Sequence, residues 1–359
     1  MNRMTIVIVT LTCAASLASA AKPQRPKVPE DKAIATLGMA LNERAAVVIV
    51  GTLDVATVST RFEVAGGRAI RLVLSCEDDQ ALRDLLTREG LTLRNGGEAR
   101  KLPEFFTAMV CNSRQEFSRE APLGIRVLRF ADYRDVARSA AAADYASAHP
   151  DEKYIVIAEP AGLSVNALKV LAGPNIVAVV VGHNHAAEDR PEDYAQAAEE
   201  VKRVVKVIRM VSDAPVLLAV AATNEFTHKT EKSWPQAFGD DLAGFDGWAV
   251  YGLAMFPAIL EAPANPRKLV LERLGLAGLG DLGERPCVLI EFTGTRYNYK
   301  PADAAYIRRV WRAKAPLLLK AMTGQEWRGL VVWSNNIDDA ALKVEAIQAV
   351  AAEQAAQKQ

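Results

Sequence analysis

Glu291 ends the apolar run Cys287-Val288-Leu289-Ile290 and opens a Gly/Thr-rich stretch, Phe292-Thr293-Gly294-Thr295. A carboxylate at such a point can attack an electrophilic carbon or stabilise a developing cation. The run is short and β-branched, so it reads as an interior parallel strand, and barrel folds place their reactive groups at the C-terminal ends of such strands. The plain alternative is a structural ion pair with Arg296 or Lys300. A second polar cluster follows another apolar run, at Val181-Gly182-His183-Asn184-His185. Alternate residues of a strand share a face, so His183 and His185 would point the same way; an imidazole with an ordinary pKa of about 6.5 can donate a proton near neutrality.

Other carboxylates stand just past apolar runs and could reach a shared site: Glu159, Glu188, Asp189 and Glu225. Each has a bland reading. Glu159 precedes Pro160 and could cap a helix, Glu188 and Asp189 open a charged loop, and Glu225 sits in the polar run 223–232. Trp234, Trp248, Trp327 and Trp333 could stack on a ligand, although tryptophan in a barrel is commonly core. Trp333 ends its run and is the candidate platform, whereas Trp248 lies near the start of its own, toward the face that serves stability.

Positioning these residues requires repeated βα units. Apolar runs suited to strands occur at 125–130, 154–158, 176–181, 216–222, 247–251, 288–291 and 330–333. Ala/Leu-rich helical patterns separate several of them, at 132–148, 164–171, 191–211, 266–274, 302–322 and 338–352. The alternation predicts a parallel sheet, and the fold class is α/β, a (β/α)8 TIM barrel with an irregular, embellished N-terminal quarter. An eighth strand is expected from either 46–50 or 70–75, with 58–64 and the Gly66-Gly67 turn forming an extra hairpin and 79–89 a helix. No GxGxxG or GxxxxGK[ST] follows an early strand, which leaves nucleotide binding and an open doubly wound sheet without support.

The N-terminus carries Arg3, an apolar stretch from Thr5 to Leu17 and the small residues Ala18-Ser19-Ala20, the pattern of an export signal over 1–20. The expected product is secreted or periplasmic. Cys13 lacks the context of a lipoprotein cysteine. Residues 21–31, rich in proline and charge, read as a flexible leader, followed by a single barrel domain over 32–355 in which 45–124 is irregular. Basic and acidic residues number 43 each, and loss of Arg3 with the signal leaves 42 basic, so neither nucleic acid nor an anionic membrane is an expected partner. No later run approaches the roughly 18 apolar residues of a membrane span. Cys76 and Cys111 could pair in an oxidising compartment, while Cys287 reads as a small apolar filler. No cofactor is expected.

The order of parts resembles the clan A glycoside hydrolases. In that family a nucleophilic Glu ends strand seven of the barrel, and an acid/base Glu preceded by Asn ends strand four. Val288-Leu289-Ile290-Glu291-Phe292 is similar to the strand-seven pattern, Val332-Trp333 to the tryptophan closing strand eight, and Tyr251 to the aromatic of strand six. The resemblance spans roughly 154–336. It implies Glu291 as nucleophile, Asn184 on a sugar hydroxyl, and Tyr251 and Trp333 shaping a sugar subsite. The chain departs from the pattern at strand four, where His185 stands in place of the acid/base Glu.

Retaining glycosidases use two carboxyl groups about 5 to 5.5 Å apart and inverting ones a pair about 6.5 to 9.5 Å apart. The expected function is therefore an exported glycoside hydrolase-like protein acting on a poly- or oligosaccharide. Glu291 and His185 are its candidate catalytic groups, and Asn184, His183, Tyr251, Trp333, Glu159 and Glu225 its candidate binding residues. A catalytically degenerate, glycan-binding barrel is the alternative. A metal-dependent hydrolase using His183 and His185, with His228 and Glu291 or Asp338, is a minor one, because metal-dependent barrel hydrolases of the amidohydrolase type carry their HxH on the first strand.

Overall fold

The computed structural model describes residues 8–9, 47–50, 59–64, 68–73, 79–104, 106–110, 125–130, 136–158, 163, 165–182, 194–221, 234–251, 284–292, 312–313, 315–316, 327–333, 342, 344–349 and 352. Four strands form an antiparallel sheet in chain order: β1 (Ile8–Val9), β2 (Val47–Val50), β3 (Ser59–Val64) and β4 (Arg68–Val73). Ser59 pairs with Val73 and Val64 with Arg68, which is the N-terminal hairpin expected around Gly66-Gly67.

Eight parallel strands then close into a barrel: β5 (Phe106–Val110), β6 (Ile125–Phe130), β7 (Lys153–Ala158), β8 (Ile176–Val181), β9 (Val216–Ala221), β10 (Gly247–Tyr251), β11 (Cys287–Phe292) and β12 (Trp327–Trp333). The (β/α)8 class is thus present, with β12 hydrogen-bonded to β5 to complete the ring. The first barrel strand differs from both candidates. Residues 46–50 and 70–75 overlap β2 and β4 of the antiparallel sheet, whereas Phe106–Val110 is parallel to β12 on one side and β6 on the other. Its five residues follow Lys101-Leu102-Pro103-Glu104-Phe105, a proline-bearing lead that hides a short strand.

Described helices are α1 (Asp79–Arg88), α2 (Val136–Ala148), α3 (Val165–Leu171) and α4 (Tyr194–Val211), and a 3-10 segment covers Trp234–Gly244. Helix α1 ends in a left-handed turn at Gly90 (φ 82°). Gly90 N donates to Thr87 O and Leu91 N to Leu86 O, satisfying carbonyls that the helix end would leave open. The chain then runs as a strap past the N-terminal ends of β8 and β9. Arg94 N donates to Met210 O and its guanidinium to Ser212 O, while Arg100 N donates to Asp213 O. The Arg100 fork also bonds Asp213 Oδ1 (2.7 Å), Pro174 O (2.6 Å) and Ile176 O (2.9 Å). Arg100→Ala is expected to lower stability by about 2 kcal/mol, since hydrogen bonds to charged groups contribute about 1.5 to 3. Urea unfolding checks this, and an unchanged midpoint would show that the strap is dispensable.

Which strand residues face the barrel axis follows from one outward marker. Arg126, 1 % exposed, lies with its guanidinium 5.1 Å from the Tyr145 ring of α2 and bonds Glu152 at 2.6 Å, and Tyr145 Oη donates to the same carboxylate. Arg126 therefore faces the helix layer. Strand alternation and the pairing register carry that assignment round the ring. Leu128, Phe130, Ala158, Val181, Leu218, Trp248, Val250 and Leu289 fall in the outer rows; Val127, Ile157, Val180, Leu217, Ala249, Ile290, Val331 and Ala108 fall in the inner ones. Near the N-terminal end the axis is filled where the Phe106 ring occupies the space a side chain at Gly329 would need.

Candidate functional site

The C-terminal rims of β8, β10, β11 and β12 precede or carry the residues singled out by sequence. Tyr251 ends β10, Glu291 is the penultimate residue of β11, Trp333 ends β12, and residues 183–185 follow β8. His183, Asn184, His185, Glu159 and Glu225 lie outside the described residues, as do Glu188, Asp189, His228, Cys76 and Cys111. For Glu291 and Trp333 the strand register is described: Glu291 pairs with Val332, and Phe292 with Trp333.

Register separates these positions. Tyr251 pairs with Ile290 and Ala221, in the inner rows; it is 3 % exposed, and its hydroxyl oxygen is buried. Position 333 alternates with Val331 and shares the inner row. Position 291 alternates with Ile290 and falls in the row of Leu289 and Val332, which continues the outward row of Leu218 and Arg126. The strand-end rule that drew attention to Glu291 fixes its height on the barrel, not its face.

The turn that delivers the chain to His183 is built by Gly182 and Trp234. Gly182 has φ 75°, in the left-handed region that glycine enters without steric cost. A Cβ there would stand 3.1 Å from Trp234 Cζ2 and 3.3 Å from Leu218 Cδ1. The β8–β9 ladder ends at Val181 and Leu218, and the Pro215 carbonyl accepts from Val179, so alternation turns the Ala219 carbonyl toward the place β8 has left. Trp234 Nε1 donates to that carbonyl at 2.9 Å. Its ring packs edge-on with Tyr194 of α4 (5.3 Å) and Phe238 (4.8 Å), so Trp234 is a structural wedge under the rim rather than a stacking platform. Lys202 of α4 bonds Asp241 and Glu199, and those bonds hold its amine above the ordinary lysine value. Gly182→Ala is expected to cost about 2 kcal/mol, from the strained φ and the crowded wedge. Thermal melts of the variant check this; a melt matching wild type would mean that the turn relaxes freely.

Trp248 and Trp327 are buried near the N-terminal ends of β10 and β12, away from the mouth. Cys287 is a buried free thiol that donates to Arg285 O at 3.6 Å, the filler role expected of it. Among the described residues no group of three or more His, Cys, Asp or Glu could hold a metal ion, and no described helix is long and apolar enough to cross a membrane.

No family model matches the chain, and no curated protein is significantly similar to it. Solved structures that are similar include CitE from Mycobacterium tuberculosis in complex with magnesium, acetoacetate and coenzyme A, at 13 % identity and TM-score 0.32, with 68 % of this chain and 81 % of that one covered. A Haloferax volcanii malate synthase is similar at 11 % identity and TM-score 0.34, covering 70 % and 76 %. A GH113 β-1,4-mannanase is similar at 11 % identity and TM-score 0.35, covering 66 % and 89 %. Likenesses at this level carry no weight for function, and the barrel rests on the strand register.

Sequence reasoning passed over Arg129. It alternates with Val127, pairs with Ile157 and so belongs to an inner row; the side chain is half-buried and its Nε is buried. The signal was available in Ile-Arg-Val-Leu-Arg-Phe: two arginines three apart on one strand must face opposite ways.

Proposed function

We propose that the chain is an exported, glycoside hydrolase-like (β/α)8 protein that takes a poly- or oligosaccharide at the C-terminal mouth of its barrel. The observation that carries the reading is the register at the C-terminal rim, which puts Tyr251 on the last inner rung of β10, beneath the mouth where such barrels take their ligands. Position 333 shares the inner row of β12, and on this reading Trp333 would contribute to the same mouth. Asn184 and His183 hold sugar hydroxyls, Glu159 and Glu225 line the rim, Glu291 acts as nucleophile or charge stabiliser, and His185 protonates the leaving oxygen.

A second reading is favoured by one observation. Position 291 falls in an outer row of β11, and His185 replaces the carboxyl group that would oppose it, so neither half of a two-carboxylate pair is secured. On that reading the barrel binds glycan without cleaving it. Incubating the mature protein with a panel of oligosaccharides, and following both reducing-end release and retention on immobilised glycan, separates the two. Release supports the hydrolase, retention without release supports the binder, and neither would sink the carbohydrate reading altogether.

A further inference from the structure

Asn95-Gly96 is the one asparagine–glycine step in the chain, and it lies at the tip of the strap that runs past the starts of β8 and β9. Arg94 and Arg100 pin the strap on either side of it, through Met210 O, Ser212 O and Asp213. Between those anchors the chain curls round the Arg94 guanidinium: Nη2 donates to Glu98 O at 3.4 Å, and a Cβ at Gly97 would stand 3.4 Å from the same nitrogen. Asn95, Gly96 and Gly97 are all exposed at this turn. Gly96, at φ 85°, has no side chain of its own to crowd its amide nitrogen, and nothing beyond its chain neighbours lies within 4 Å of the place a Cβ would take. Among the described residues neither the Asn95 side chain nor the Gly96 amide has a hydrogen-bond partner. Asn175 is the opposite case: its Nδ2 donates to Glu152 O at 2.8 Å, the next residue is the β-branched Ile176, and the Ile176 amide donates to Gly173 O. Asn166 is held in helix α3.

We propose that Asn95 is a site of spontaneous covalent modification, and that its conversion to isoaspartate loosens the strap as the protein ages. The Gly96 amide nitrogen gives up its proton to hydroxide and attacks Asn95 Cγ. The new C–N bond closes a succinimide, while the Cγ–Nδ2 bond breaks and ammonia leaves with a proton from water. Water, the co-reactant, then opens the ring. Opening at Cγ leaves aspartate, and opening at the main-chain carbonyl carbon leaves isoaspartate; either way a neutral amide becomes a carboxylate. Aspartate keeps the main-chain path. Isoaspartate routes it through Cβ, adding a methylene to a turn fixed at both ends, so that Arg94 no longer holds Ser212 O and Glu98 O together. Exposed loop tips are where chains are most open to such covalent change.

Incubating the purified protein at mildly alkaline pH beside a peptide of residues 93–100, and mapping every asparagine by mass spectrometry with isoaspartyl methyltransferase labelling, tests this. Asn95 is expected to convert ahead of every other asparagine, at a rate within tenfold of the peptide's and rising with hydroxide. In Asn95→Gln, ammonia release from this position is expected to be at least tenfold slower. An Asn95 that stays intact while the peptide converts would overturn the proposal, because the fold would then hold the turn against attack. Earlier conversion at another asparagine would overturn it too, and both comparisons need only the wild-type protein. Urea midpoints test the loosening: aged wild type is expected to unfold at lower urea than fresh protein, whereas Asn95→Asp, with the charge but without the added methylene, keeps its midpoint. An unchanged midpoint in converted protein would overturn the loosening and leave the modification site standing. A midpoint lowered equally in Asn95→Asp would assign the effect to charge and overturn the lengthened turn.

Discussion

Glu291→Gln is expected to reduce release of sugar by on the order of a thousandfold or more from any oligosaccharide that the wild-type protein cleaves, with the melting temperature unchanged. The amide keeps the shape and removes the charge that would attack the anomeric carbon or face an oxocarbenium ion. Reducing-end assays on wild type and variant, at matched concentration, provide the measurement. Position 291 makes the experiment decisive because its register row is outward, alongside Leu289 and Val332. Unchanged turnover in the variant would remove Glu291 from the chemistry and leave it as a residue of the barrel's outer layer. His185 enters the same assay: as the acid it matters most for poor leaving groups, so His185→Ala should slow natural linkages more than activated aryl glycosides.

The largest stability effect is expected at Gly247, the first residue of β10. A Cβ there would fall inside contact distance of the Pro286 carbonyl oxygen and stand 3.1 Å from Leu217 Cδ2. That carbonyl accepts the Trp248 amide at 2.9 Å, the bond that opens the β10–β11 pairing. Gly247→Ala must therefore displace backbone, not merely a flexible side chain, and a loss of about 3 kcal/mol is expected, the upper part of the range for overpacking. Chemical denaturation measures it. Because Tyr251 closes the same five-residue strand, ligand binding should weaken in parallel. A variant as stable as wild type would mean that β10 and β11 part at their start without consequence.

Seven of the eight barrel strands were legible because parallel strands buried on both faces read as unbroken β-branched runs, of which Ile176–Val181 is the clearest. The same property hid which residues face the axis. A run such as Ile-Val-Ala-Val-Val-Val offers no polar alternation to betray its faces, and the assignment had to come from Arg126 lying against Tyr145 together with the register. Phe106–Val110 escaped because it is short and follows a proline-bearing lead, and its strand identity comes from pairing with β12 and β6, partners distant in sequence. Of the candidate site, the heights of Tyr251, Glu291 and Trp333 on the barrel were legible from where their runs end. Their faces were not, and Arg129 was overlooked because it sits inside a run rather than at its end.

The Phe106 ring seated beside Gly329 and the Arg94–Arg100 strap at the starts of β8 and β9 pack the N-terminal side of the described barrel. On the carbohydrate reading proposed above, a long glycan would then be met from the C-terminal rim and not drawn along the axis. A hydrolase of that build would show inhibition by short products and separate encounters, and not processive travel along a chain.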